Sequence, residues 1–450
     1  MTVDPTNGTD AGGSANAHGG SASAHGGSAS AHGGSASAHG GSANVHGGSA
    51  NAHLAAIADI GRSTAGGYAR HVFTGAETTL REWFVAEAER LGLDIELDRN
   101  SNIWAWWGPP GDGAVITGSH LDSVPGGGAF DGPLGVASAL DAVQRLQAEG
   151  FKPAKPFALM VFAEEEGSRF GVACLGSRLM TGAIGADKAL ALRDVDGLTF
   201  ADAARAAGFA PERMGQDEQA LRRIGTFVEL HVEQGRGLID LDRPVGVGSS
   251  ILAHGRWRLS FSGTGNHAGT TAIDERRDPM IAAAASVLAA RSVAAAGDGV
   301  RATVGRLVPR PGGTNVIASH VDAWLDVRAG ADLVTRAAVD EIVEQAQAAA
   351  DREGCELQVR EESYGGEVFF DPALAGRISG VLGRSMDCTV PMLSTGAGHD
   401  AGILAAKVPT AMIYVRNPSG ISHAPEEFAE PADVAAGVGA LVDVLKDLLR

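Results

Sequence analysis

Cysteine is scarce in this 450-residue chain, which holds only Cys174, Cys355 and Cys388. An odd number at wide spacing matches neither a disulfide framework nor a thiolate zinc site, and it suits a reducing, cytoplasmic setting. Basic residues are outnumbered, with 36 Lys and Arg against 54 Asp and Glu, for a formal charge of -18. Nucleic acid and anionic membrane surfaces both need concentrated cationic charge, so neither is expected as a partner. No apolar stretch behind a basic segment opens the chain, and no uninterrupted apolar run is long enough to span a bilayer. The remainder is ordinary for a globular protein, 44% apolar and 20% charged, enough for two domains.

Residues 12–53 repeat a seven-residue unit six times: Gly-Gly-Ser-Ala, then Ser or Asn, Ala or Val, and His. The unit ends at His18, His25, His32, His39, His46 and His53. Gly, Ser and Ala bury too little apolar surface to offset the entropy of ordering, so residues 1–53 are expected to form a disordered arm. Its imidazoles offer weak transition-metal binding; the alternative is a spacer.

The chemistry starts at residues 118–131, GSHLDSVPGGGAFD, where the apolar run 114–117 reads as a buried strand. His120 and Asp122 then emerge at its carboxyl end, where open α/β sheets put their ligand sites. From Pro133 the apolar positions Leu134, Ala137, Leu140, Val143 and Leu146 recur every three residues and stop at Gly150, which sets Asp131 just before an amphipathic helix. Residues 157–162 read as a central parallel strand followed by Glu164, Glu165 and Glu166. Three adjacent carboxylates repel each other unless a cation neutralises them. Strand 226–232 carries His231, and strand 410–415 leads through a turn to His423. Residues 54–92 look helical, 93–107 extended, and 432–450 form a last amphipathic helix.

Between these parts the order becomes β-α-β-β-α-β: strand 256–261, helix 280–294, strands 300–308 and 315–328, helix 333–352 and strand 356–360. The fold expected is therefore an α/β catalytic domain over residues 54–248 and 365–450, a mixed sheet between helices. A ferredoxin-like α+β domain is inserted at 249–364.

His120, Asp131, Glu166, His231 and His423 all fall at or just beyond strand ends. One carboxylate bridging two divalent ions about 3.5–4 Å apart, with two further ligands on each, is a metal clamp for an attacking water. Glu165 would be its general base.

Taken in order, GSHLDSVP, FDGPLGV, EEEGSRF, HVEQG, GNHAGTT, GGTNVI, DVR, GAGHDA and GISHAPEE resemble the hydantoinase/carbamoylase branch of the dinuclear metallopeptidases. That branch includes N-carbamoyl-L-amino-acid hydrolases, allantoate amidohydrolases and β-ureidopropionases. The resemblance runs from about Leu54 to the C-terminus. It implies His120 and His231 on one metal, Glu166 and His423 on the other, Asp131 as the bridge, Glu165 as base, and Asp122 orienting His120. It further implies that His267 polarises the scissile carbonyl, that Asn315 and Arg328 hold the substrate carboxylate, and that Gly398 and His399 line the pocket. His254 stands where the family often has Gln, near substrate, and Ala272 where it usually has Pro.

The resemblance implies a metal-dependent amidohydrolase acting on a small ureido or carbamoyl compound. It also implies two ions per subunit (zinc, manganese, cobalt or nickel) and a homodimer through the inserted domain, which would act as a lid. An aminoacylase or dipeptidase of the same superfamily is the alternative; there the ligand matching His231 is usually acidic. A metal-storing or surface-binding role for the His-containing arm is a third.

Overall fold

The structure is a computed structural model that describes residues 49–450. His18, His25, His32, His39 and His46, for which weak metal binding is expected, lie outside the described residues. The last repeat unit departs from the expectation of disorder. Ser49 caps a helix over Ala50–Ala56, its hydroxyl accepting from Ala52 N at 3.3 Å. Ala50 N donates to Asp141 Oδ2 at 2.8 Å, and His53 is buried with its ring edge-on to Trp83. Tertiary contact with Asp141 and Trp83 holds this capped helix in place.

A nine-stranded mixed sheet organises the main domain. Its order is Asp94–Leu97, Ile103–Trp106, Phe157–Phe162, Ala114–His120, Ile224–Val232, Thr410–Val415, Val245–Ile251 and Val368–Phe369, with Met392–Thr395 also pairing Val245–Ile251. The four central strands run parallel, so His120, Phe162, Val232 and Val415 all end at one edge. After Ala114–His120 the chain crosses through helix Pro133–Ala148 to Phe157–Phe162 on one side, and Ile224–Val232 lies on the other. The crevice between His120 and His231 is therefore where strand order reverses, the usual ligand position in such sheets. Strands Ala114–His120, Phe157–Phe162 and Thr410–Val415 are buried along their whole length, as continuous apolar runs between helical layers should be.

Helices Pro133–Ala148 and Pro431–Leu448 pack together on one face, joined by Ala50–Ala56. The expected helical stretch 54–92 is two helices, Ala50–Ala56 and Gly75–Arg90, separated by turns and bridges. In that interval Arg70 donates to the carbonyls of Ile57 and Ile60, spending its guanidinium on backbone that no helix satisfies.

The inserted unit is a four-stranded antiparallel sheet in the order Glu356–Gly365, Ala253–Ser262, His320–Ala329, Arg301–Arg310. Helices Pro279–Ala296 and Asp332–Arg352 cover one face. The element sequence is the β-α-β-β-α-β expected. Its start is later than residue 249, because Ser250 and Ile251 pair with Phe369 and Val368 in the large sheet. The expected strand 315–328 is also divided: Val316–Ile317 forms a small ribbon with Asn266–His267, and the sheet strand begins at His320. Helix Pro279–Ala296 is long and apolar enough to cross a membrane by length and composition alone. Here Ala282, Ala283, Ala290 and Val293 are buried in the inserted domain's core.

Candidate metal centre and active site

Asp131 joins two clusters. Its Oδ1 lies 3.5 Å from His120 Nε2 and 3.2 Å from His231 Nε2, and its Oδ2 lies 3.3 Å from His423 Nε2. His423 Nε2 is also 3.5 Å from Glu166 Oε2. Ligand-type atoms of His120, Asp131 and His231 lie within 4.8 Å of one another, as do those of Asp131, Glu166 and His423. The five side chains that the sequence nominated are thus brought together, with Asp131 common to both sets.

The local structure fixes which atoms face inward. His120 Nδ1 bonds the backbone carbonyl of Asp122 at 3.1 Å and His231 Nδ1 that of Val232 at 2.9 Å, so Nδ1 of each ring is spent on backbone and Nε2 is the nitrogen that faces Asp131. His120 Nε2 is buried with no hydrogen-bond partner. A buried unpaired acceptor among carboxylates is costly unless a cation completes it, and imidazole plus carboxylate donors fit a divalent transition metal. Gly132, at φ +81°, could not carry a side chain: a Cβ there would stand 2.5 Å from the His120 ring. His423 and Glu164 also have left-handed backbone, at φ 55° and 53°, strain that non-glycine residues accept mainly where the surroundings impose it.

Supporting groups hold the two loops. Asp122 accepts backbone N–H bonds from Glu165 (3.1 Å) and Glu166 (3.0 Å). Glu427 Oε1 accepts from Phe130 N and Asp131 N, and Gln234 Nε2 donates to Asp131 Oδ2 at 2.7 Å. Ser422 Oγ donates to Glu427 Oε2 at 3.0 Å. Gln234, Ser422 and Glu427 were not singled out in the sequence, although each lies inside or beside one of the family-like segments. Glu164 is a buried structural carboxylate accepting from Arg169 N and Phe170 N. Glu233 likewise binds Gly237 N and Leu238 N.

Burial dominates the electrostatics. It raises the Glu165 carboxyl well above the ordinary range, with Asp400, Glu166 and Asp122 adding to the rise against His120. Glu166 is pushed up to about 7 by burial and Asp131. Asp131 moves the other way: burial would raise it, but the three imidazoles of His120, His231 and His423 against it hold it well below the usual carboxylate. His423 is raised to about 9, chiefly by Asp131, with Glu166 and Glu427 adding to the rise against burial. Glu165 Oε2 lies 3.6 Å from His120 Nε2, and its Oε1 accepts from the Cys174 thiol at 3.3 Å. A buried carboxylate beside a metal-type cluster and outside its two triads is suited to proton transfer.

A cleft of about 910 Å³ opens beside His423, lined also by Gln234, Ser422, Thr395 and, from the inserted sheet, Arg301 and Arg328. Arg328 is half-buried; its Nε and Nη2 donate to Asp326 and its Nη1 to the Gly396 carbonyl at 2.6 Å. His254 is its cross-strand neighbour, with Nδ1 on the Leu252 carbonyl at 3.0 Å. The remaining nominated residues fall elsewhere. Gly398 and His399 do not line this cleft, but His399 is buried beside the centre, its ring 4.5 Å from that of His231 and its ligand-type atoms within 4.8 Å of those of Glu229 and His231. His267 and Asn315 are exposed on the small ribbon, where Asn315 O accepts from Ala268 N, and neither lines the cleft.

Paired metal-type triads at the carboxyl edge of the parallel strands, a buried spare carboxylate beside them and a second, four-stranded sheet domain define a metallohydrolase class. The model for peptidase family M20/M25/M40 matches residues 116–447. The chain belongs to this family, in its hydantoinase/carbamoylase branch. It is 34% identical to the N-carbamoyl-L-amino acid amidohydrolase of Geobacillus stearothermophilus over 88% of this chain and 97% of that one. With the allantoate amidohydrolase of Bacillus subtilis it shares 31% identity over 87% and 95%. The crystal structure of a hydantoinase/carbamoylase-family amidase from Burkholderia multivorans superposes with a TM-score of 0.77 at 28% identity, covering 88% of this chain and 96% of that one.

Proposed function

We propose that the protein is a metal-dependent amidohydrolase that cleaves the terminal ureido C–N bond of N-carbamoyl-L-amino acids or allantoate. Water adds across that bond and ammonia leaves; the carbamic acid that remains loses carbon dioxide and leaves the free amine. The observation that carries the reading is Asp131 shared between two ligand-type triads, with Glu165 beside them and an arginine-walled cleft in front.

His120, Asp131 and His231 would hold one divalent ion, and Asp131, Glu166 and His423 a second. Ions held there supply Lewis-acid polarisation of the ureido carbonyl and acidify water. Glu165 takes the proton of the attacking water on its carboxylate and returns it to the leaving nitrogen; its burial makes it a stronger base than an exposed carboxylate. Asp122 keeps the His120 and Glu165 loops in register. Arg328 offers its guanidinium to the substrate carboxylate, with Asn315 as second donor and His254 beside it, and His267 polarises the carbonyl. Since His267 and Asn315 stand on the ribbon outside the cleft, they reach it only by closure of the inserted domain or from the ribbon of a second copy.

A homodimer through the inserted domain is part of the same reading. Helix Pro279–Ala296 turns Ile281 and Leu288 outward, 52% and 68% exposed, beside the edge strand Arg301–Arg310. An apolar stripe next to an unpaired edge is a self-association surface.

The test is to strip the protein with a chelator, reload it separately with zinc, manganese, cobalt and nickel, and measure ammonia release from N-carbamoyl-L-alanine and allantoate. N-acetyl-L-alanine and an alanine dipeptide serve as controls for amide cleavage. Metal-dependent turnover of a ureido compound is expected. Faster cleavage of the acetyl compound or dipeptide would overturn the reading in favour of an aminoacylase or dipeptidase.

A further inference from the structure

We infer that the cleft takes a substrate with a second anionic group: an N-carbamoyl amino acid whose side chain ends in a carboxylate, bound by Arg301 beside Arg328. The inference rests on the ureido reading above and narrows its substrate class.

Arg301 and Arg328 are directly opposed on neighbouring antiparallel strands, so both side chains leave the same face of the inserted sheet, the face away from its helices. Both line the cleft that His423 borders. Like charges opposed across strands destabilise a sheet unless something compensates them. Here compensation is incomplete. Asp326 gives both carboxylate oxygens to Arg328, at 2.8 and 3.2 Å, and what is left faces Arg256 at 3.5 Å. The other acidic group on the cleft wall, Glu233, is occupied by the N–H groups of Gly237 and Leu238. Among the described residues Arg301 has no carboxylate partner.

The surplus stands out against the rest of the chain. A protein of formal charge -18 repels anions at long range, yet the inserted sheet presents two arginines, 301 and 328, to this cleft against one aspartate, 326, which Arg256 also faces. A local cationic strip in an acidic protein concentrates anions where they are used. Opposed residues on antiparallel strands have Cα atoms about 4.5–5.5 Å apart, close to the separation of the two carboxylates in aspartate or glutamate. Arg328 would take the α-carboxylate and Arg301 the side-chain carboxylate, with Thr303, next on the same face of that strand, as a hydroxyl donor.

The experiment compares kcat/KM of the metal-loaded enzyme for N-carbamoyl-L-aspartate and N-carbamoyl-L-glutamate with that for their isosteric partners, N-carbamoyl-L-asparagine and N-carbamoyl-L-glutamine. The acids should exceed the amides by about tenfold or more, mostly through KM, and the ratio should shrink with added salt. Arg301→Gln should bring the ratio close to one, and Arg301→Lys should retain part of it. An acid-to-amide ratio near one in the wild type, or a ratio that Arg301→Gln leaves unchanged, overturns the subsite while the ureido reading stands. Failure of the loaded enzyme to cleave any of the four compounds or allantoate overturns the ureido reading, and the subsite with it.

Discussion

Asp122 Oδ1 accepts the backbone N–H of Glu165 at 3.1 Å, which ties the loop after the first parallel strand to the loop carrying the proposed base. Its other oxygen accepts Glu166 N, and its own carbonyl orients His120. One residue thus sets the geometry of two proposed ligands and the base, its carboxylate holding Glu165 and Glu166 and its backbone carbonyl holding His120. Replacing it by alanine removes both acceptors and leaves two buried N–H groups unpaired, so Asp122→Ala should lower metal affinity and turnover together by about 10–100-fold. Metal content after dialysis, measured beside kcat, checks this; a variant with unchanged metal affinity and rate would remove Asp122 from that role.

Glu165 calls for the opposite pattern. It belongs to neither triad around Asp131, so Glu165→Gln should retain the metals while turnover falls by at least about a hundredfold, the scale of a positioned general base. Loss of metal in proportion to rate would make Glu165 a ligand.

Much of this site was legible because its residues follow strands whose apolar runs are unbroken. Phe157–Phe162 and Thr410–Val415 have the bounds the sequence suggested, since a strand buried on both faces has no polar interruption to blur it. Helix Pro133–Ala148 was legible from its period and from proline at its first position. The two-residue ribbon of Asn266–His267 with Val316–Ile317 has no periodicity to detect, and it is what separates His267 and Asn315 from the cleft. His399 was read as lining the pocket from its place in the family-like GAGHDA segment; that its ring packs against His231 is set by the sheet and could not be read from the segment. Gln234, Ser422 and Glu427 act through contacts across 103 to 297 residues of chain, which local pattern cannot reveal.

The start of the folded region gives a stability prediction. Ala50 is bonded to Asp141 and His53 is buried against Trp83, so a chain beginning at Ser49 should keep its melting temperature and turnover, whereas one beginning at Ile57 should melt several degrees lower. Burial also lowers the His53 pKa below its ordinary 6.5, outweighing Glu87 and Asp141. A base neutral in the fold but protonated in the unfolded chain gives stability that is complete above pH 6.5 and is lost as pH falls below it. The wild type should therefore lose more melting temperature between pH 7 and pH 5 than His53→Gln does. Identical pH profiles would show that the imidazole is charged or solvated in the fold.

His267 decides how the site is completed. Its side chain is exposed, its ring nitrogen accepts only from Gly269 N, and it lies outside the cleft that Arg328 lines. If it polarises the carbonyl in the site of its own chain, the inserted domain must close. If it serves a second copy, the apolar stripe of Ile281 and Leu288 and the free edge Arg301–Arg310 are the surface that brings that copy near. His267→Ala and Glu165→Gln should each be nearly inactive alone. Mixed after reversible dissociation, the two variants should recover up to about a quarter of wild-type activity if His267 acts across the interface, because random pairing makes half the dimers mixed and each of these has one intact site. Light scattering on the same samples must show a dimer. No recovery from a dimeric mixture would assign His267 to its own chain and leave lid closure as the step that completes the site.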